Sequence, residues 1–246
     1  MRYELMLPSQ IRTAIEENWP VVLPLGVLEY HGEHLPVGLD TLVVIRCVEL
    51  LEDEIKMVIL PAFYYGAGSY FVEPPEGNGT VHVPSEALLP FGKELFTSLL
   101  RIGFRNIHGF IHHQTENFVA GMPTDLSFKT AGRQATFAFL EKSRGEGWWG
   151  DNKMKDYYQK HDEGDNPFNW IQVHPLMDDK IIEQFEFDHA GLGETSLLMS
   201  LMPETVKMEQ LSTEKWYLES AADSTTAFGD MGRDLILARM RKILNP

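Results

Sequence analysis

Short apolar runs alternate along the chain with longer stretches of helical periodicity, and this alternation constrains the fold more than any other feature. The runs at 21–25, 57–61 and 106–111 predict buried strands, because they are short, apolar and bounded by glycine, proline or polar residues. Strands separated by helices are joined by crossover connections, which make neighbouring strands parallel. The sequence therefore predicts an α/β domain built on a mostly parallel sheet.

The helical stretches carry apolar residues three or four positions apart, or begin with residues typical of a helix start. They predict helices at 41–54, 85–101, 121–141, 192–202 and 229–244. The segment 66–79 is rich in glycine and proline and predicts a long loop. Pro24 lacks a backbone N–H, so we expect the first run to lie at a sheet edge or Pro24 to lie at a strand end.

The composition indicates the size of the domain, the partners it excludes and the compartment in which it works. Of 246 residues, 43% are hydrophobic, which suits a single domain over 1–246 with a sizeable core. Acidic residues outnumber basic ones by 36 to 21, and the net charge of −15 disfavours nucleic acid and anionic membranes as partners. The sequence shows no apolar run long enough to span a membrane, no signal-peptide core, and a single cysteine, Cys47. We therefore expect a cytoplasmic protein without an intrachain disulfide.

The segment 143–169 differs from the rest of the chain, with several glycines, two tyrosines and the adjacent Trp148 and Trp149. Paired tryptophans are unusual in linkers, so we interpret the segment as an insertion into the domain. It could close as a lid over a substrate, or it could bury its aromatic side chains between subunits. Interfaces are enriched in tryptophan, which favours the second role, with Trp149 also lining a substrate pocket.

Five acidic or imidazole side chains follow the first strand, at Glu29, His31, Glu33, His34 and Asp40. Residues two apart in an extended chain project to one side, so Glu29 and His31 can face the same site. Carboxylate and imidazole ligands together suit zinc or manganese. Asp40 lies where the next helix begins. An aspartate there usually caps the helix, but the density of ligands favours a role in bridging two metal ions as well.

A second cluster of polar side chains surrounds the end of the third strand. It comprises His108, His112, His113, Gln114, Thr115, Glu116 and Asn117. Parallel strands present their carboxyl ends at one edge of the sheet, so this cluster can meet the first. His112 and His113 should point to opposite faces if they are extended, so we expect at most one to bind a metal. His108 is expected to be buried within the strand or to support the ligands.

The third cluster contains Asp188, His189, Gly191 and Glu194. The imidazole of His189, with an ordinary pKa near ~6.5, suits a proton shuttle. Glu194 suits a metal ligand or an orienting residue. The alternative is a plain helix start, with Gly191 in a turn and Glu194 in the first helical turn. Since all three clusters are expected at strand ends, they predict one shared site.

Three motifs in this order resemble the signature of the creatininase (creatinine amidohydrolase) family. They are Glu29-x-His31-Gly32-x-His34-Leu35-Pro36 ending at Asp40, Gly79-Thr80-Val81, and His189-Ala190-Gly191 with Glu194-Thr195-Ser196. The resemblance runs from about 21 to 200 and implies a three-layer αβα fold with a mostly parallel sheet. It also implies two divalent metal ions per chain, zinc and/or manganese, and a homo-oligomer of up to six subunits.

Position by position, the resemblance implies a role for each residue of the motifs. Glu29 would bind one metal and His31 the other, with Asp40 bridging the two. His113 would complete the shell of the first metal. His189 would be the proton shuttle.

The third-strand motif departs from the family pattern. His113-Gln114-Thr115-Glu116-Asn117 places one residue more between the histidine and the Glu-Asn pair than relatives do. Either Glu116 or Glu194 is then expected to serve the second metal, and Glu116 is also a candidate catalytic residue. Phe185 stands where creatininase itself has a tryptophan before the shuttle histidine, which disfavours creatinine as the substrate.

The resemblance implies a hydrolase in which water activated by two metals attacks a carbonyl of a small, cyclic, polar substrate. Cleavage of a C–N bond would make it an amidohydrolase of a lactam or amide. Cleavage of a C–C bond would instead open an oxidised inositol of the 3-dehydro-scyllo-inosose type. Gln114, Thr80 and Trp149 are expected to bind the substrate. A non-catalytic metal-binding oligomer subunit is the remaining alternative.

Overall fold

The computed structural model describes residues 1–160 and 166–245, so part of the insertion, 161–165, lies outside the described residues. Four strands form a single sheet, and every pairing between them is parallel. The strands are β1 (Val21–Leu25), β2 (Val58–Ile59), β3 (Ile107–Ile111) and β4 (Ile171–Pro175), in the spatial order β2-β1-β3-β4. The predicted parallel α/β architecture is therefore confirmed.

The α-helices of the described chain connect and cover these strands. They are α1 (Pro8–Glu16), α2 (Leu39–Glu52), α3 (Ser85–Ile102), α4 (Pro123–Arg144), α5 (Tyr157–Lys160), α6 (Asp179–Ile182), α7 (Leu192–Leu201) and α8 (Thr226–Leu244). Within the described ranges, none of them combines the length and the apolar character needed to cross a membrane.

Alternating residues of each strand pack into two separate cores, one on each face of the sheet. Val22 and Phe110 join the core formed with α2, α7 and α8. Val21 and Ile107 join the core formed with α1, α3 and α4. Helices therefore cover both faces, as parallel sheets require, and the predicted three-layer αβα arrangement is confirmed.

The register of the strands brings their carboxyl ends to one edge of the sheet. Leu25 lies opposite Ile111, and Ile111 lies opposite Pro175. The loops that leave Leu25 and Ile111 therefore start side by side. These loops carry most of the first two predicted clusters of acidic and imidazole residues, whereas Asp40 lies in α2 and His108 lies within β3.

One open alternative about the strands is decided, and one expectation is wrong. The first strand lies inside the sheet, between β2 and β3, so Pro24 does not mark a sheet edge but lies near the end of the strand, as its penultimate residue. β2 ends at Ile59, opposite Val22, so Pro24 lies past the regular pairing with β2, although its carbonyl still accepts from the N–H of Phe63 at 2.9 Å. The cluster around His189 follows no strand, because the chain before it is a loop and α7 begins at Leu192.

The described part of the insertion folds on itself around aromatic side chains. Trp149 contacts Tyr157 and Tyr158 edge to face, at centroid distances of 5.9 and 6.2 Å. The guanidinium of Arg144 lies 4.8 Å from the ring centroid of Trp148. Trp149 remains 49% exposed, so it has surface left for a further contact. Its role between subunits or against a substrate stays a prediction.

Candidate metal centre

The loop after β1 turns back on itself and presents Glu29 and His31 to the interior. The backbone N–H of Glu29 donates to the carbonyl of Val37 across this loop, at 2.8 Å. Gly32 has a φ of +78°, and a side chain there would meet the ring of His34. Glu29 and His31 are both buried as a result, with 2% and 1% exposure.

Asp40 does not cap the following helix. The N-cap position of α2 is Gly38, no side chain caps it, and Asp40 is the second helical residue. Its carboxylate is buried, and Oδ2 has no hydrogen-bond partner among the described residues. Burial raises the pKa of Asp40 against the opposing effect of His31 and His113. A buried carboxylate oxygen without a partner is costly unless a cation lies against it.

The protonation of His31 is set by the backbone. Its Nδ1 lies 2.9 Å from the carbonyl oxygen of Glu29, which can only accept, so Nδ1 carries the hydrogen. The other nitrogen, Nε2, is buried without a hydrogen bond among the described residues. It lies 3.6 Å from Asp40 Oδ2 and 3.5 Å from Glu194 Oε2. Burial opposes protonation of this nitrogen, but Asp40 and Glu194 raise the pKa of His31. The two carboxylates therefore attract positive charge to Nε2, and a metal cation bound to the neutral ring would supply it.

The rings of His112 and His113 both reach the same site, because the chain is not extended there and the condition for opposite directions is not met. Of the two, only His113 belongs to a candidate metal-binding set among the described residues. The strand ends at Ile111, and a bend directs both rings inward. His113 Nδ1 lies 3.3 Å from Glu29 Oε2, whereas His112 Nε2 lies 3.0 Å from Glu194 Oε1. Burial opposes protonation of His113, but Glu29 and Asp40 raise its pKa to about 9. The carboxylates thus attract positive charge to this point.

Glu194 comes to the site from the first turn of α7. The backbone N–H of Ala190 donates to its Oε2 at 2.7 Å. Asp188 accepts from the N–H groups of Gly193 and Glu194, at 2.6 and 3.1 Å, and so caps this helix. Burial opposes ionisation of Glu194, but His31 and then His112 lower its pKa. Glu194 therefore lies in the first turn of a helix and also among the candidate metal ligands, so the two predicted alternatives are compatible.

Three overlapping sets of side chains could each hold a metal ion, with ligand atoms within 4.8 Å of one another. They are Glu29, Asp40 and His113 (the first position); His31, Asp40 and Glu194 (the second position); and Glu29, His31 and His189. Asp40 belongs to both named positions, as a bridging ligand would. Carboxylates with imidazoles form a donor set typical of zinc or manganese, so the residues present fit the implied metals.

His189 lies beside these positions but is more open than the ligands. Its ring stacks on His31 with a centroid distance of 4.4 Å, and its side chain is 26% exposed. Nε2 donates to the carbonyl oxygen of Tyr30 at 2.9 Å, so Nδ1 carries the lone pair, 3.9 Å from Glu29 Oε2. Burial, and then the charge of His31, lowers the pKa of His189.

Of the remaining predicted site residues, two line the cavity, one supports the first loop and one lies elsewhere. Glu116 is exposed and lines the cavity, but it belongs to none of the three metal-binding sets, whereas Glu194 does. Gln114 lines the same cavity while both ends of its amide bond the backbone of Met177. Thr80 accepts from the N–H of Tyr30 and so supports the first loop. Trp149 is not among the lining residues of this cavity.

The metal positions lie at the base of a cavity of about 850 Å³. Its outer wall is aromatic and apolar, with Phe71, Phe187, Trp216 and Tyr217. The described lining includes acidic and imidazole side chains but no lysine or arginine. The cavity is therefore large enough for a small organic substrate and offers no lysine or arginine to an anionic one.

Three residues of the predicted clusters, His34, His112 and Asp188, have roles in the site that the sequence did not specify. His34 is buried and its Nε2 lies 3.0 Å from the hydroxyl of Thr195, which links the first loop to α7. His112 contacts Glu194, and Asp188 caps α7. The motifs contain His34 and Thr195, but no spacing rule shows that residues 161 positions apart are bonded.

Comparisons with known proteins agree with this geometry. The family model of Creatininase (Creatinine amidohydrolase) matches residues 4–234. The 3-dehydro-scyllo-inosose hydrolase of Thermotoga maritima is 28% identical over 104 residues, which span 42% of this chain and 32% of that protein. The creatinine amidohydrolase of Pseudomonas putida is 22% identical over 196 residues, or 78% of this chain and 67% of that protein.

Solved structures show the same fold. A tryptophan-to-phenylalanine mutant creatininase has a TM-score of 0.74 at 16% identity, with coverage of 100% of this chain and 99% of the other. A manganese creatininase has a TM-score of 0.70 at 17% identity, with the same coverage. Since the family model matches most of the sequence, the chain belongs to the creatininase family of metal-dependent amidohydrolases, and the predicted enzyme class is confirmed.

Proposed function

We propose that this chain hydrolyses a small, cyclic, polar substrate by attack of water on a carbonyl, with two divalent cations bound in the first and second positions. One observation carries this proposal. His31 directs an unpartnered, buried nitrogen between Asp40 and Glu194, while Asp40 also belongs to the other set of ligands. Such an arrangement is costly without cations and favourable with them.

Five buried side chains are proposed to bind the two cations. Glu29 and His113 would hold the first cation, His31 and Glu194 the second, and Asp40 both. Zinc and/or manganese bound there would lower the pKa of a water molecule and polarise the carbonyl oxygen of the substrate. The apolar outer wall of the cavity would limit the access of bulk water.

His189 is suited to carry the proton between water and leaving atom. Its Nε2–H is held by the carbonyl of Tyr30, so Nδ1 is the basic atom. The lowered pKa keeps the ring neutral near pH 7, so Nδ1 can accept a proton. It can then donate that proton to the leaving atom as the bond to the carbonyl carbon breaks. Glu116, exposed at the cavity wall, is proposed to contact the substrate.

The identity of the leaving atom separates two candidate functions. If it is nitrogen, the enzyme hydrolyses a lactam or small amide. If it is carbon, the enzyme opens the ring of an oxidised inositol. The local similarity to 3-dehydro-scyllo-inosose hydrolase favours the second candidate, since that match is the more identical of the two relatives. A cavity lined without lysine or arginine suits the neutral rings of both candidates.

Metal analysis tests the proposed centre. Purified protein should contain about two zinc or manganese ions per chain by elemental analysis, and chelation followed by readdition should abolish and restore turnover. Manganese-loaded protein should then be incubated separately with neutral lactams and with keto-inositols, with products followed by NMR. A ring-opened product that carries a new amine and a new carboxylate shows C–N cleavage, whereas an open-chain keto acid shows C–C cleavage.

The outcomes separate the alternatives. One ion or none per chain would contradict the two-metal proposal. Two ions without turnover of either class would favour a non-catalytic metal-binding subunit. A matched anionic substrate, a lactam or inositol derivative that carries a carboxylate or phosphate, should react much more slowly than its neutral parent.

We further propose that the single domain over 1–246 assembles into a homo-oligomer, up to a hexamer, in the cytoplasm. The exposed side chain of Trp149 would lie in a subunit interface or against the substrate pocket of a neighbouring subunit. For W149A, light scattering measures the mass of the assembly and a turnover assay measures the activity. Loss of turnover with the assembly intact would show that its role is not purely interfacial.

A further inference from the structure

A chain of hydrogen bonds behind the metal-binding residues connects the first loop with α7. His34 Nε2 lies 3.0 Å from Thr195 Oγ1, and that hydroxyl donates to the carbonyl oxygen of Ala190 at 3.2 Å. His34, Thr195 and Ala190 are all buried. We refer to these three residues as the clamp.

The direction of each hydrogen bond in the clamp follows from its acceptors. The carbonyl of Ala190 can only accept, so it takes the hydroxyl hydrogen of Thr195. The oxygen of Thr195 must then accept from the Nε2–H of His34. Each hydrogen bond of the clamp therefore has a fixed direction, from His34 to Thr195 and from Thr195 to Ala190. Removal of the hydroxyl would leave a buried donor and a buried acceptor without partners.

Ala190 has an unusual backbone conformation and lies directly beside Glu194 of the second metal position. Its φ is +56°, in the left-handed region that alanine rarely adopts. Its carbonyl is bound by Thr195, and its N–H donates to Glu194 Oε2 at 2.7 Å. That oxygen of Glu194 is the one that faces His31. The residue before Ala190 is His189, so the clamp also sets the direction from which this imidazole enters the site.

We propose that His34 and Thr195 are positioning residues that hold Ala190 in this conformation and thereby place Glu194 in the second metal position. This inference rests on the proposed function, because it assumes that Glu194 binds a metal ion. The clamp touches no member of the first position, Glu29, Asp40 and His113, through a hydrogen bond among the described residues. Loss of the clamp should therefore weaken one metal position and spare the other.

The test is a metal titration of T195V, which keeps the shape of the side chain and removes the hydroxyl. Isothermal titration with Mn²⁺ under chelator competition should show one of the two sites weakened by about 10- to 100-fold, the usual effect of losing a residue that orients a ligand. T195S retains a hydroxyl and should bind both ions as the unmodified protein does. H34F removes only the donor to that hydroxyl and should weaken the same site by a smaller factor.

Ser196 provides a matched control on the next residue of α7. Its buried hydroxyl accepts from the N–H of Thr225, at the start of α8, at 3.0 Å. S196A thus loses a partly buried hydrogen bond that does not involve the clamp, and both ions should bind normally.

The possible results are distinguishable. If the unmodified protein binds fewer than two ions, the proposed function and this inference both fail. If it binds two ions and T195V binds both as tightly, or weakens both equally, only the inference fails. If T195V does not fold, H34F decides: selective weakening of one ion supports the clamp, and unchanged binding of both overturns it.

Discussion

Acidification should destabilise this fold through a histidine pair in the sheet. His108 Nε2 lies 2.7 Å from Asn106 Oδ1, and its Nδ1 lies 3.0 Å from His174 Nε2. The amide oxygen can only accept, so His108 donates from Nε2 and accepts from His174 at Nδ1. A second proton on His108 would have to break the bond to His174. Burial lowers the pKa of His108 to about 4.

The size of the effect follows from the difference in pKa between the folded and the unfolded chain. The unfolded chain takes up this proton near pH 6.5, and the folded chain only near pH 4. Between these values the unfolded state binds more protons, so the free energy of unfolding falls as the pH falls. The slope is about 1.4 kcal/mol per pH unit, and the total for His108 is about 3 kcal/mol. This stability is fully present above pH 6.5. The pKa of His174, lowered to about 3 by burial and then by His108, adds to the same trend.

Urea unfolding of metal-free protein between pH 4.5 and 6.5 measures this slope. The variant H108F/H174F replaces both rings by apolar ones and leaves no imidazole unpaired. Its free energy of unfolding should fall less steeply with acidification, by about 1 kcal/mol per pH unit or more. V173A, on the same strand, should lower stability by a constant amount and keep the original slope. If the free energy of unfolding falls with the same slope against pH in the double variant and in the unmodified chain, the argument is refuted.

The metal centre and the catalytic step yield three further predictions. D40N removes the ligand shared by both positions, so elemental analysis should find both ions reduced, whereas loss of only one ion would contradict a bridging role. H189Q should lower kcat by about 10²- to 10⁴-fold with metal content unchanged, and a matching loss of metal would instead make His189 a ligand. E194Q should lose one ion per chain, while E116Q, its matched control, should retain two and change KM more than kcat. The reverse result would assign the second metal to Glu116.

The architecture was largely predictable because it depends on local patterns. Apolar runs and helical periodicity identified β1, β3 and the helices α2, α3, α4, α7 and α8 to within a few residues. The strand β4 was missed because its sequence, Ile171–Pro175, is only partly apolar, as suits an edge strand. Pro24 left two positions open, a sheet edge or a strand end, because proline lacks a backbone N–H, and only the strand pairing decided for the end of an inner strand.

The sequence by itself determined the residue types of the site and the order of its motifs, since both are properties of the chain. Tertiary structure alone decided which of them meet. Glu194 and not Glu116 joins His31, because the cap on α7 and the bend after Ile111 set side-chain directions that sequence spacing does not specify. The bond between His34 and Thr195 likewise depends on tertiary packing, because it joins the first loop to α7 across 161 positions of the chain.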